Sequence, residues 1–119
     1  MIEILQKVKD ELKYCDTREE LLEYFIELGA NLKEFPNEEE ISENYVPGCV
    51  SEVYISAENK ESLLYFKGKS GALIVKGYVY ILIEALSGKR PQDVIEAESE
   101  ILDFIKETKI DSTSLASRA

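Results

Sequence analysis

Histidine and tryptophan are missing from this 119-residue chain, and methionine occurs once, proline three times and cysteine twice. Without histidine there is no His-based catalytic triad, no His-ligated zinc and no side chain of ordinary near-neutral pKa to serve as a general base. The two cysteines, Cys15 and Cys49, stand far apart with no Cys-x-x-Cys, which leaves a thioredoxin-like redox pair or a four-cysteine metal site without support. No glycine-rich phosphate loop of the usual spacing is present.

Positive charge is also scarce. Against 24 acidic side chains stand 14 lysines and arginines, for a net charge of −10, and these cations form no stripe. Neither nucleic acid nor an anionic membrane is therefore expected as a partner. The longest apolar run, Ala72 to Val75 and then Tyr78 to Ile83, is broken by Lys76 and is too short to span a bilayer. It reads as a buried helix. Met1 is followed by an amphipathic stretch with Glu3, Lys7, Lys9 and Asp10 instead of the apolar core of a secretory signal, so a cytoplasmic location is expected. In that reducing setting the cysteines are expected to remain unpaired, which makes at least one a candidate for chemistry.

What is present is a folding composition, 45% apolar and 32% charged. The length suits one domain over residues 1–119, with 111–119 a polar, flexible or truncated tail. Met1, Leu5, Val8 and Leu12 share one helical face, and Leu21, Phe25, Leu28 and Leu32 another, predicting two antiparallel helices. Thr17 and Glu20 have the spacing of a capping box at the start of the second. Residues 31–44 contain Pro36 and three consecutive glutamates and read as an irregular connection, with one possible helical turn after Asn37.

Pro47-Gly48 suits a tight turn, because Pro presets one φ and Gly tolerates a positive one. From Val50 to Glu58 the pattern alternates, with Ser51, Val53, Ile55 and Ala57 on one side and Glu52, Tyr54, Ser56 and Glu58 on a wet face. Asn59-Lys60 is the expected hairpin turn, and Leu63 to Phe66 a second strand stopping at Gly68. Ala72 to Ser87 reads as a helix closed by Gly88. Pro91 opens another, and Ile101, Leu102 and Ile105 mark a last amphipathic one. Val53, Ile55, Leu73, Ile74 and Tyr78 are assigned to the core.

The remaining distinctive group is a thiol on a turn. Cys15, near the end of the first helix, reads as a small buried hydrophobe. Cys49 follows Pro-Gly in a loop held by regular elements, where functional groups concentrate, although turn thiols can also be inert. Carboxylate pairs carry no weight in a chain this acidic.

Val46-Pro47-Gly48-Cys49-Val50-Ser51-Glu52-Val53-Tyr54, Ala72-Leu73-Ile74-Val75-Lys76-Gly77, Ile26-Glu27-Leu28-Gly29 and Ser117-Arg118, in this order and spacing, resemble the SufE/CsdE family of sulfur acceptors. The resemblance implies a compact α+β domain like that of the scaffold protein IscU, with a small antiparallel sheet of two to three strands packed against helices. It implies that Cys49 accepts persulfide sulfur from a SufS/CsdA-like cysteine desulfurase, a pyridoxal-phosphate enzyme, and passes it to an iron–sulfur scaffold such as a SufBCD-like complex. The chain itself would be an accessory protein and not an enzyme, without cofactor or metal, and a monomer. Gly48, Ser51, Lys76 and Arg118 are the supporting residues that match the motif.

Transfer needs a thiolate that attacks the outer sulfur of the donor persulfide. Glu43 and Glu52 flank Cys49 and no cation lies within ten residues on either side, so Cys49 alone is expected to be mostly protonated at neutral pH and activated by its partner. Arg118 is a candidate cation from the tail, and Lys76 either reaches the loop or snorkels to solvent, the latter being favoured. Val50, Glu52, Lys69 and Gly71 depart from the usual family residues, and relatives continue past the Ser-Arg motif. Those departures leave room for a second function, an adaptor that binds a desulfurase without carrying sulfur. An independent thiol enzyme is disfavoured, since no base or resolving cysteine is in view.

Overall fold

Helix α1 (Glu3–Leu12) follows from its apolar spacing, and it buries Leu5 and Val8 while Leu12 packs at their side. The structure, a computed structural model, describes residues 2–48 and 51–108, so Met1, assigned to the same face, lies outside the described residues. Thr17 caps α2 (Arg18–Gly29): its Oγ1 accepts the Glu20 N–H at 3.1 Å. The reciprocal half of the box differs, for the Thr17 hydroxyl donates to Glu20 Oε1 at 3.3 Å. Leu32 falls three residues beyond α2 and not on its face. The Asn31 side-chain amide donates to the carbonyls of Glu27 and Leu28 at 3.2 and 3.3 Å, taking acceptors that another helical turn would use.

The central element is α3 (Leu73–Leu86). The two opening helices meet where Tyr24 Oη donates to Glu11 Oε1 at 2.6 Å, yet both turn their apolar faces chiefly to α3 and not to one another. Leu5, Val8, Phe25, Ile81, Ala85 and Phe104 form the core cluster, with Phe25 stacked on Tyr78 at 4.7 Å between ring centres. Ile74 and Tyr78 pack against this cluster as expected. Leu73 does not: it stands one residue off the Ile74–Tyr78–Ile81 face, in the helix's first turn, and is 55% exposed. Gly88 ends the segment with φ +81°, and Pro91 opens the short α4 (Pro91–Glu96). In α5 (Glu98–Thr108) the anchor is Phe104 with Ile101 and Ile105 beside it, whereas Leu102 points off that stripe and is exposed.

The sheet is a single antiparallel hairpin, β1 (Val53–Lys60) and β2 (Leu63–Ser70), within the expected two to three strands. Its bounds differ from the sequence reading. β1 starts three residues after Val50, the turn is Glu61-Ser62 and not Asn59-Lys60, and β2 continues through Gly68 to Ser70. Both turn residues take positive φ, +52° and +72°, the geometry that matches the twist of a two-residue hairpin. Asn59 Oδ1 steadies it by accepting the Ser62 N–H at 3.1 Å.

The register places Ile55 opposite Gly68 and Val53 opposite Ser70 on the face that meets α3. Val53 is buried and Ile55 half-buried there. The other face, expected to be wet, is exposed at Glu52 and Glu58 as expected but covered between them, at Tyr54 and Ser56. Phe35 and Tyr45 of the 30–46 connection lie against Tyr54, and Ser56 is buried beneath. Glu39 and Glu40, within and just after the 3₁₀ turn Asn37–Glu39, pair with Lys67 and Lys69 at 3.7 and 3.1 Å. The result is an α+β domain with helices on one face of the hairpin and an irregular strap on the other.

Candidate functional site

The segment that carries Cys49 leaves and rejoins the hairpin at its open end. Tyr45 bridges to Tyr54, and the Val46 N–H donates to the Val53 carbonyl at 2.9 Å, so the strap enters as a short extra rung beside β1. Pro47 and Gly48 then turn the chain, with Gly48 at φ +82°, a left-handed conformation that a side chain would strain. Cys49 and Val50 lie outside the described residues. On the far flank the Ser51 hydroxyl meets the Ser70 hydroxyl at 2.9 Å. Ser70 is 3% exposed and also accepts the Ala72 N–H at 3.2 Å, just ahead of α3.

Both flanks of Cys49 are thus hydrogen-bonded to residues that face each other across the sheet, Val53 and Ser70. Tyr45 before the segment and Leu73, three residues after Ser70, are exposed large hydrophobic side chains, as is Ile41 further back along the strap.

Glu43 and Glu52, the nearest acids in sequence, are exposed. The fold brings Lys69 to this end of the hairpin although it is distant in sequence, but its ammonium is engaged by Glu40 on the strap side. Lys76 is half-buried at the crossing of α2 and α3, where a Cβ built on Gly29 would lie 2.6 Å from Lys76 Cβ. Its Cβ therefore sits against α2. Arg118 lies outside the described residues. Of the residues singled out by sequence, the structure places Gly48 and Ser51 at the mouth of the hairpin and Lys76 at the helix crossing.

Cys15 is a free thiol and is half-buried, not fully enclosed as the reading of a core residue required. Burial, then the neighbouring Glu20 and Asp16, push its pKa above the ordinary thiol value. It shares a shallow groove with Glu11, Tyr14, Glu20, Glu23, Tyr24 and Glu27. A cleft of about 320 Å³ between β2 and α3, lined by Leu32, Lys33, Phe66 and Tyr80 among others, takes in neither flank of Cys49. Among the described residues no cluster of His, Cys, Asp or Glu is suited to hold a metal ion, and no helix is long and apolar enough to cross a membrane.

Ser70 is the site residue that sequence reasoning passed over. Its signal was a small hydroxyl two residues ahead of Ala72, the residue that precedes an apolar helix, a position where such a side chain can accept a backbone N–H.

The sequence model of the family described as SufE, Fe–S metabolism associated domain, matches residues 6–119. An uncharacterised SufE-like protein of Rhizobium meliloti (strain 1021) is 36% identical over 99 residues, covering 80% of this chain and 71% of that protein. An uncharacterised SufE-like protein of Synechocystis sp. (strain ATCC 27184 / PCC 6803 / Kazusa) is 38% identical over 101 residues, covering 85% of this chain and 59% of that one. The cysteine desulfuration protein SufE of Plasmodium falciparum (isolate 3D7) is 35% identical over 80 residues, covering 63% of this chain and 32% of its own length. The chain thus spans a third to under three quarters of the length of these relatives. With the family's domain running through the hairpin, the helices and both flanks of Cys49, this chain belongs to the SufE family, associated with Fe–S metabolism.

Proposed function

We propose that Cys49 carries sulfur as a persulfide, accepting it from a cysteine desulfurase and delivering it for iron–sulfur cluster assembly. The observation that carries this reading is the anchoring of both flanks of Cys49 at the hairpin mouth, in a chain of this family. A relative of 35% identity is named for cysteine desulfuration, which supports the same assignment.

The step is a sulfur transfer without net oxidation. The Cys49 thiolate attacks the outer sulfur of the desulfurase persulfide, the new S–S bond forms as the old one breaks, and the desulfurase cysteine leaves as a thiolate. One proton moves from the acceptor thiol to the donor over the cycle, so thiol and persulfide exchange places. No second cysteine is needed. With Glu43 and Glu52 flanking it in sequence and Lys69 held by Glu40, Cys49 of the free protein is a slow nucleophile, and the partner raises its reactivity. The chain acts as a monomeric accessory protein without a cofactor of its own, and a SufBCD-like scaffold is the recipient.

The test is incubation with a pyridoxal-phosphate cysteine desulfurase and free cysteine, followed by peptide mass spectrometry. A reducible gain of one sulfur atom on the Cys49 peptide is expected, unchanged in Cys15→Ser. Cys49→Ser should abolish the stimulation of desulfurase turnover. Stimulation that survives in Cys49→Ser identifies an adaptor instead, and a desulfurase that loads another SufE acceptor but leaves Cys49 unmodified overturns the proposal.

A further inference from the structure

The hydroxyl of Ser70 joins three parts of the chain: the end of β2, the start of α3 and the C-terminal flank of Cys49. A serine hydroxyl has one proton and two acceptor positions. One acceptor position is filled by the Ala72 N–H at 3.2 Å, and the other position or the proton serves Ser51 at 2.9 Å. Ala72 is the residue that precedes α3, and Ser70 accepts its N–H from two residues upstream, a local side-chain-to-backbone bond at the entry to the helix. Being buried and already held by Ala72, the Ser70 oxygen is a fixed point, and a side chain that bonds to it is oriented by it.

Ser51 is half-buried and can bond water equally well, so the tie is not required to satisfy it. What the tie adds is position. It sets Ser51, two residues after Cys49, against the end of β2, while the Val46–Val53 hydrogen bond sets the other flank.

We propose that Ser70 is a positioning residue for the cysteine segment, acting through Ser51 to set how Cys49 is presented to whatever reacts with it. The competing role is the local bond to the Ala72 N–H alone. The two part at Ser51, because Ser51→Ala breaks the tie and leaves the Ala72 N–H still bonded to Ser70.

The experiment is a double-mutant cycle of Ser51→Ala and Ser70→Ala, read by the rate of iodoacetamide alkylation of the Cys49 peptide in the free protein, with the Cys15 peptide as internal control. Each single variant is expected to change the Cys49 rate by about threefold or more, and the double variant to match the singles, as for two residues that share one interaction. Cys15 should keep its rate. In the desulfurase assay each variant should lose about fivefold in kcat/KM through KM, because a smaller fraction of the acceptor presents Cys49 productively. A wild-type Cys49 rate in Ser51→Ala, or additive effects in the double variant, reduces Ser70 to its bond with Ala72 and overturns the inference. If Ser70→Ala does not fold, Ser51→Ala decides alone. The desulfurase assay rests on Cys49 as sulfur acceptor, whereas the alkylation cycle does not. Failure of sulfur loading with an intact cycle therefore counts against the function, and loading with a flat cycle counts against Ser70.

Discussion

Two glycines set how closely α2 and α3 approach. A Cβ built on Gly29 would lie 2.8 Å from the Gly77 nitrogen, and one on Gly77 would press into the Phe25 carbonyl. Backbone, unlike the end of a flexible side chain, cannot step aside, so Gly77→Ala should destabilise the protein by about 2–3 kcal/mol, the upper range for overpacking. Urea denaturation checks this, and a loss under about 0.5 kcal/mol, the level of an ordinary surface change, would show that the helices can part. Cys15 supports a prediction of a different kind. Burial, Glu20 and Asp16 all favour its neutral thiol in the folded state. Its contribution to stability is thus whole below the ordinary thiol pKa and is lost as pH rises through the raised value. Alkylation of the Cys15 peptide in the native protein should reach half its maximal rate above pH 9.0, and in denaturant at a lower pH. A native midpoint at or below the denatured one would refute the assignment. The same scale explains why the candidate site was only half legible. Cys49 and its Pro-Gly turn announce themselves by residue type, whereas Ser70 matters because of a contact with Ser51 across 19 positions that no local pattern encodes.

At the scale of elements, helices were readable because burial of one face repeats with the helical period. Leu5, Val8, Phe25 and Phe104 are the buried members of such stripes, although Phe104 had been passed over for the more conspicuous Ile101-Leu102 pair. The hairpin was readable in kind but not in register. Its turn is built from Glu61 and Ser62 at positive φ, and neither residue is one that favours this conformation, so the more turn-like Asn59 attracted the assignment. Asn59 does shape the turn, through its side chain and from one position before the final strand residue. If positive φ at these residues is strained, Glu61→Asn with Ser62→Gly should stabilise the protein by about 1 kcal/mol, since each native residue carries a left-handed penalty that the Asn-Gly pair largely lacks. The denaturation midpoint should rise at unchanged slope. A fall would mean that the Glu61-Ser62 turn makes contacts worth more than its strain.

Over the whole molecule the fold class followed from element types, but the strap did not. Residues 30–46 have too little regular structure to signal where they lie, and only the alternation of β1 suggested a face, which was read as wet. The strap covers the middle of that face, at Tyr54 and Ser56, with Phe35, Tyr45 and the Glu39–Lys67 and Glu40–Lys69 pairs. These pairs are partly exposed, so each contributes at most about 1 kcal/mol. Against them stands the repulsion of a chain with net charge −10. Salt weakens both, but the pairs are contacts of a few ångströms while the repulsion is summed over longer distances, where screening acts most strongly. Lengthening the ionic strength series from about 0.01 M to about 0.1 M shortens the screening length from about 30 Å to about 10 Å and should remove more repulsion than attraction. The thermal midpoint, followed by circular dichroism at pH 7, should therefore rise by about 3–6 °C across that range, as for a gain near 1 kcal/mol in a domain of this size. The rise should be the same in sodium and choline chloride, since screening does not depend on the identity of the cation. A midpoint that falls with salt would mean that the strap's ion pairs outweigh the excess of negative charge.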